Sequence, residues 1–440
     1  MADFIESIRN AGVIGAGGAG FPTHVKVNCK GKAEYIIANG AECEPLLRVD
    51  QQVMALHADK VVAGILAVKE YTEAKHAVIA LKEHYHDAVA ALEKAAKGKG
   101  VEIRTFDSYY PLGDEQQLVY EITGRVVPTG GLPLDVGAVV NNVSTLINIA
   151  NALEGKPVTD KYVTVGGAVK NPVTLCVPIG TPISELLKFA GAPADMQNYT
   201  IILGGPCMGK ITKDINTPVT KTTGGVLVIP SDHPLIRKKT SDPERDAKMA
   251  LAVCCQCMQC TQLCPRNALG LNVQPHKAMR AAAYNDGSLL GDVNGIFSCC
   301  DCGICSYYAC NFDLSPSRMM QRLKGALVAN GVRPNKEVYG EVDPAIDMKR
   351  VPTGRLISRL GISEWDVPAP VSNADLAIKK TVLSLKMHIG APAVPVVKVG
   401  DTVKAGDLVA EIKEGALGAR VHAGISGTVT SVDGAITIEV

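Results

Sequence analysis

The chain has few aromatic residues: 4% of its 440 residues are Phe, Trp or Tyr, with a single Trp. It has almost no net charge either, +1 with His neutral, so it lacks the basic face that a nucleic-acid binder needs. No apolar run approaches the roughly 18 residues of a membrane span. The opening stretch MADFIESIRN mixes acidic and basic residues and has no hydrophobic export core. These absences imply a cytoplasmic globular protein. With 47% hydrophobic and 20% charged residues the composition is ordinary for one, and the length suits about two to four domains.

Cysteine, by contrast, is abundant. Of fourteen cysteines, ten fall between Cys254 and Cys310, while Cys29, Cys43, Cys176 and Cys207 are scattered. In a reducing compartment such clustering means metal or redox chemistry rather than disulfides. The run VCCQCMQCTQLCP spaces Cys254, Cys257, Cys260 and Cys264-Pro265 as C-x2-C-x2-C-x3-C-P. That is the bacterial ferredoxin run, whose fourth cysteine ligates the other cluster. The run SCCDCGICSYYACN spaces Cys299, Cys302, Cys305 and Cys310 as C-x2-C-x2-C-x4-C. Three thiolates wrap three corners of a cubane, and the fourth corner is filled from a distance. Two [4Fe-4S] clusters are therefore expected, one on Cys254, Cys257, Cys260 and Cys310, the other on Cys299, Cys302, Cys305 and Cys264. The competing reading is a pair of structural zinc sites, but those usually present two separated Cys pairs. Cys255 and Cys300 are surplus and read as spectators.

Near the N-terminus, AGVIGAGGAGFPTHVKV (11–27) satisfies G-x-G-x-x-G at Gly15, Gly17 and Gly20. A dinucleotide fingerprint would need a helix to begin within the motif, yet Phe21-Pro22 follows at once. The next strand, YIIANG, does not end in a ribose-binding acid. A phosphate cradle remains, because glycines let backbone N–H groups approach an anion; the bland alternative is a plain turn.

Around this loop, residues 1–155 alternate β-branched runs (AEYIIANG, 33–40; HAVIALK, 76–82) with helical repeats at 49–72 and 86–98. That rhythm predicts an α/β domain with a largely parallel sheet. Residues 156–232 read as strands around one helix, ISELLKFAGA, a small α+β module of the β-grasp kind. The segment 231–248 is polar and Pro-bearing and reads as a linker. The cysteine segment, 245–330, ends in a helix at 316–330, and 331–375 reads as a meandering connection. Residues 375–440 form two similar halves of short strands and Gly turns, the pattern of a barrel-sandwich. No lysine flanked by Met stands at a hairpin tip, so this module reads as docking or structural rather than as a carrier.

Four motifs recur in order: GAGGAGFPTHVK, the Asn39-x-x-Glu42-x-Glu44-Pro45 segment, the Gly113-Asp114-Glu115 turn and the run Asn141-Asn142-Val143-Ser144-Thr145. Together they resemble the FMN/NADH-binding subunit of respiratory complex I. Closer still are the RnfC subunit of the membrane Rnf complex and the cobalamin reductases of propanediol-utilisation microcompartments. The resemblance covers nearly the whole chain, and the C-terminal position of the barrel-sandwich favours the cobalamin-reductase type. It implies a multidomain α/β and α+β protein: a Rossmann-like FMN domain, an SLBB-like β-grasp module, a helical dicluster ferredoxin segment and an RnfC-like barrel-sandwich hybrid.

The resemblance also implies roles. Gly15, Gly17, Gly18 and Gly20 would approach the flavin phosphate and ribityl chain, with Lys26 near the ring. Asn39 and Glu42 would hydrogen-bond the flavin, and Gly113 and Glu115 would shape the ring pocket. Asn141, Asn142 and Thr145 would hold the phosphate end, and Phe21, Glu44 and Tyr110 would contact NADH. The sequence departs from the family pattern at Ala16, where an arginine is usual, at Ala41 and Ser144, where acids are usual, and at Asn311, where a proline is usual.

An oxidoreductase is expected, carrying electrons from NADH through FMN and two [4Fe-4S] clusters to a corrinoid acceptor. Catalysis would rest on the cofactors, with no catalytic acid or base. The implied partners are an adenosyltransferase or another acceptor protein and a microcompartment shell protein, with the chain itself a homo-oligomer inside a bacterial microcompartment. The sequence lacks Asp-x-His-x-x-Gly, so corrinoid would be met transiently or on a partner. Two other readings stay open: an electron-transfer subunit serving an Rnf-like complex or a proline-reductase system, and a scaffold whose clusters only stabilise the fold.

Overall fold

In the computed structural model, which describes residues 3–336, 340–374 and 376–440, the β-branched runs of the first third become a parallel sheet. Residues 1 and 375, the expected starts of the first and last modules, lie outside the described residues. Strands β1 (Tyr35–Gly40), β2 (His76–Lys82), β3 (Glu102–Phe106) and β5 (Ala138–Asn142) lie in the order β3-β2-β1-β5, all parallel. The short β4 (Tyr109–Tyr110) stands outside that sheet. Ile36, Ile37, Ala38, Val78, Ile79 and Ala80 are buried on both faces of it, as a parallel sheet covered by helices requires. The helical repeat at 49–72 is two helices, Val49–Leu56 and Ala58–Thr72, because His57 leaves helical geometry at φ −125°, ψ 32°. In open α/β sheets ligands meet the carboxyl ends of strands, and here the register sets Asn39 of β1 beside Asn142 of β5.

The second module has strands β6 (Asp160–Gly167), β7 (Val173–Pro178), β8 (Tyr199–Leu203), β9 (Lys210–Thr212) and β10 (Gly225–Pro230), with one helix, Ile183–Phe189, on the sheet. Its buried core is Val163, Val165, Leu175, Ile183, Leu186, Val226 and Val228.

The segment 231–248 contains helix rather than plain linker. Helices Pro234–Lys239 and Pro243–Val253 start at prolines, with His233 and Asp242 side chains capping the first N–H groups. Proline tolerates the first turn of a helix, where its missing N–H would be unpaired anyway. Leu235 and Ile236 bury themselves in the core shared with Tyr110 and Cys302. The connection after 330 is likewise ordered in part. Strand β11 (Val351–Pro352) pairs with β4, the helix Thr353–Leu360 buries Leu356, Ile357 and Leu360, and β12 (Val371–Ser372) joins the β-grasp sheet beside β7.

The last module has two small sheets. Strands β13 (Lys380–Ser384), β15 (Thr402–Val403), β18 (Gly427–Val432) and β19 (Ala435–Glu439) form one; β14 (Val394–Pro395), β16 (Leu408–Glu411) and β17 (Val421–His422) form the other. It packs on the first module: the Ile389 N–H donates to the Gly20 carbonyl at 3.0 Å. The buried Lys221 ammonium donates to the Gly12 and Arg420 carbonyls at 2.6 and 2.7 Å.

Candidate functional site

The glycine run folds back on itself. The Gly15 N–H donates to the Phe21 carbonyl at 2.9 Å, the Gly20 N–H to the Gly15 carbonyl at 3.2 Å, and Ile14 bridges Pro22. Gly20 needs its freedom, since its φ is +67° and a Cβ there would stand 3.3 Å from His388 Cα. Gly17 lies against the Asn142 side chain, and Gly18 faces open space. Ala16, between them, donates its N–H to Thr145 Oγ1 at 2.9 Å and accepts from Lys161 Nζ at 3.0 Å.

Asn142 caps the helix Val143–Leu153, accepting from the Ser144 N–H at 2.9 Å, and its Nδ2 donates to Asp50 at 2.8 Å. The loop is thus faced by the N-terminus of an eleven-residue helix, a ready anion site. Beside it, Asn141 is buried at 4% exposure, and its Nδ2 finds no partner among the described residues. A buried donor without an acceptor is costly, and an anionic group at this loop would supply one. The residues present fit the phosphate end of FMN.

On the other side of Asn39, its Nδ2 donates to the Gly113 carbonyl at 2.9 Å. A Cβ on residue 113 would meet the Ala41 carbonyl oxygen at 2.7 Å and Cys43 Sγ at 3.1 Å, so only glycine fits. Lys26 Nζ pairs with Glu115 Oε1 at 2.7 Å, partly exposed. Glu42 accepts from the Glu44 N–H at 2.9 Å, and burial pushes its carboxyl up. Burial also pushes Asp50 up to about 7, with Glu42's charge adding. Lys161 is brought down to about 8 by burial, against the pull of Asp50 and Glu42. Glu42, Asp50, Lys161 and Asn142 therefore form one buried polar set behind the loop.

Glu44 and Tyr110 are engaged between modules. Glu44 accepts the N–H groups of Cys207 and Met208 at 2.9 and 3.0 Å and the Tyr110 hydroxyl at 3.2 Å. The same hydroxyl reaches the Cys302 carbonyl at 2.7 Å. Burial pushes the Glu44 carboxyl up to about 7 despite the Cys207 N–H. Phe21 belongs to a different part of the site, closing the glycine loop through its backbone.

The thiols gather in two groups. Cys254, Cys257, Cys260 and Cys310 line one cavity, together with Cys255, His276 and Phe312. Burial pushes Cys260 up to about 12, and Cys310, Cys254 and Cys257 add to the shift, which marks them as neighbours. Burial likewise pushes up Cys305, with Cys299 and Cys264 adding, while Cys302 responds to Cys300, Cys264 and Cys305. Cys260 also acts on Cys305, so the two groups adjoin. Left-handed residues at Gln256, Met258 and Asp301 turn the chain between successive cysteines, and a single π turn, Cys305–Ala309, closes the second block. Among the described residues no three His, Cys, Asp or Glu side chains close up around a single ion. The fit for a larger group rests on the four convergent thiols of each set, the number a cubane takes.

Four family models match the chain: the Nuo51 FMN-binding domain over residues 8–151, the SLBB domain over 162–210, the 4Fe-4S dicluster domain over 253–315 and the RnfC barrel sandwich hybrid domain over 367–439. The cobalamin reductase PduS of Citrobacter freundii is 42% identical over 97% of this chain and 94% of its own length. The chain belongs to the PduS cobalamin reductase family. The Salmonella typhimurium PduS is also 42% identical, over 98% of this chain and 95% of that protein. The RnfC-type component of the proton-translocating ferredoxin:NAD(+) oxidoreductase complex of Clostridium ljungdahlii is 36% identical over 66% of this chain and 62% of its own length.

Three features of this family member escape a reading of motifs. Arg266, directly after Cys264-Pro265, pairs with Asp114 between Gly113 and Glu115. Lys161, from the β-grasp module, reaches the glycine loop. A cavity of about 510 Å³ opens beside the second thiol group, lined by Gly303, Ser306 and Tyr307 and by Lys210, Lys238, Lys239 and Arg318. The Cys-Pro-Arg triplet was the one local signal for the first of these; the other two depend on distant segments.

Proposed function

We propose that this chain is a reductase that takes electrons from NADH and delivers them, through FMN and two [4Fe-4S] clusters, to a corrinoid. The observation that carries the reading is the Tyr110 hydroxyl, which lies three residues from Gly113 and bonds the Cys302 carbonyl at 2.7 Å. Flavin pocket and second thiol group thereby share one wall, as electron passage between them requires.

FMN supplies, when bound, the exchange of a two-electron hydride for single electrons, the form that iron–sulfur clusters carry. The chain's own residues bind and orient. The N–H groups around Gly15–Gly20, the Asn142–Thr145 helix start and Asn141 would hold the phosphate end, with Asn39, Glu42, Gly113, Lys26 and Glu115 around the ring. Phe21, Glu44 and Tyr110 would border the NADH side. Cys254, Cys257, Cys260 and Cys310 would hold one cluster, and Cys264, Cys299, Cys302 and Cys305 the other. Leu235, Ile236, Leu356 and Ile357 exclude water from the wall between them.

The acceptor would approach at the cavity beside Gly303 and Tyr307. On this reading its carrier is an adenosyltransferase or another acceptor protein. The chain would work as a homo-oligomer beside shell proteins in a bacterial microcompartment. No helix among the described residues is long and apolar enough to cross a membrane.

The test is an anaerobic preparation assayed for iron, sulfide and flavin, then mixed with NADH and a corrinoid. About eight iron and one FMN per chain, flavin bleaching by NADH and appearance of reduced corrinoid are expected. Bleaching without corrinoid reduction, with the partner present, would overturn the acceptor; absence of bleaching would overturn the donor.

A further inference from the structure

We propose that Lys161 is a phosphate-binding residue of the flavin site, reaching in from the β-grasp module to supply a positive charge that the glycine loop itself lacks. This rests on the reading of that loop as an FMN site.

Residues 11–22, AGVIGAGGAGFP, contain no cationic side chain. The next cation that the sequence assigned to the site, Lys26, spends its ammonium on Glu115 at 2.7 Å. A phosphate monoester held here would have the loop's N–H groups and the start of the helix Val143–Leu153. Those amount to roughly half a unit charge, against the roughly −1.5 to −2 that such a group carries near neutral pH.

Lys161 is placed to supply the rest. It lies on β6, is 7% exposed, and donates to the carbonyl of Ala16 at 3.0 Å. Ala16 is the residue whose N–H sits on Thr145 Oγ1 and whose neighbour Gly17 touches Asn142. An ammonium has three N–H donors, and the Ala16 carbonyl is the one hydrogen-bond acceptor found for this group among the described residues. The neighbouring Asn141 Nδ2 is also buried and unpartnered. Buried donors in need of acceptors thus flank one loop, and the phosphate oxygens of a mononucleotide provide several.

Asp50 and Glu42 also face the ammonium, so Lys161 could serve solely as their counter-charge. The two roles separate by ligand. A phosphate contact matters for FMN and is indifferent to riboflavin, which has the same ring and ribityl chain without the phosphate; a counter-charge role affects both flavins alike.

The experiment uses the full-length chain with its clusters, freed of flavin and titrated with FMN and with riboflavin by flavin fluorescence. The wild type is expected to prefer FMN. Lys161→Met should weaken FMN about ten- to a hundredfold, the range of a charge-assisted hydrogen bond, leave riboflavin unchanged, and so erase the preference. Lys161→Arg should keep most of it. Iron content reports whether each variant has folded, and if Lys161→Met has not, Lys161→Gln reads the same ratio. Equal losses for both flavins, or an unchanged FMN affinity, would overturn the role of Lys161. A wild type that binds riboflavin as tightly as FMN would do the same while leaving the flavin site standing. A wild type that binds neither would remove the flavin reading itself.

Discussion

Arg266 and Asp114 meet as a bidentate pair, Nε to Oδ2 at 2.9 Å and Nη2 to Oδ1 at 2.8 Å, with side chains 9% and 12% exposed. Arg266 directly follows Cys264-Pro265, and Asp114 caps the helix Glu115–Thr123. The same guanidinium also bonds Gln116 and the Ser298 carbonyl. One side chain therefore holds the ring-side turn of the flavin pocket against both ends of the second thiol group.

Removing one partner of a buried pair leaves the other charge uncompensated, at a cost of roughly 3–5 kcal/mol. Arg266→Met should lower stability by about that amount in urea unfolding monitored by cluster absorbance. The Arg266→Met/Asp114→Asn double variant should recover a large part of the loss. Additive losses in that cycle would show that the pair is not coupled.

Tyr110→Phe should cost about 1–3 kcal/mol of stability, because the Cys302 carbonyl loses its donor in a dry core. Flavin content should stay near the wild-type level, while electron passage from NADH-reduced protein to the clusters slows. Stopped-flow absorbance separates the two phases; an unchanged second phase would remove Tyr110 from the path.

A Cβ at residue 113 meets a carbonyl oxygen that cannot move without disturbing the end of β1. Gly113→Ala should therefore strip flavin from purified protein while leaving iron content intact, at a strain cost of about 1–3 kcal/mol. Full flavin occupancy in this variant would show that the turn has room to give.

Cys264→Ser should reduce iron from about eight to about four per chain, and Cys255→Ser should leave it near eight. Iron and sulfide assays decide both. An equal loss in the two variants would mean that Cys255, which lines the first cavity, is a ligand.

Glu44 gives a pH dependence with a definite sign. Burial raises its carboxyl from 4.5 to about 7, so between those values the folded chain keeps a proton that the unfolded chain releases. Stability from this group is then lost as pH rises through that window. The difference in urea midpoint between wild type and Glu44→Gln should move in favour of the variant from pH 5 to pH 8. A difference constant across that range would show that Glu44 titrates normally.

Much of the architecture was legible because its signals are local. Alternation and helical periodicity mark β1, β2 and the helices between them within windows of a few residues, and the C-x2-C-x2-C spacing is complete within each block. Where local signals compete, the sequence misleads. Prolines at 234 and 243 read as breakers, yet each opens a helix because a capping side chain precedes it. The 49–72 repeat hides a break at His57, which apolar spacing alone does not register.

The amino-acid order by itself determined the kinds of module present and the likeness of their motifs, since strand, helix and cysteine-loop chemistry is written over short spans. It could not say that Arg266 reaches Asp114 across 152 positions, or that Lys161 reaches Ala16 across 145. Those contacts exist because β5, β6 and the cysteine segment converge on the carboxyl ends of one parallel sheet. Tertiary structure decided them for a physical reason. A buried charge is tolerable only beside its partner, and which partner lies within 3 Å depends on how whole modules pack.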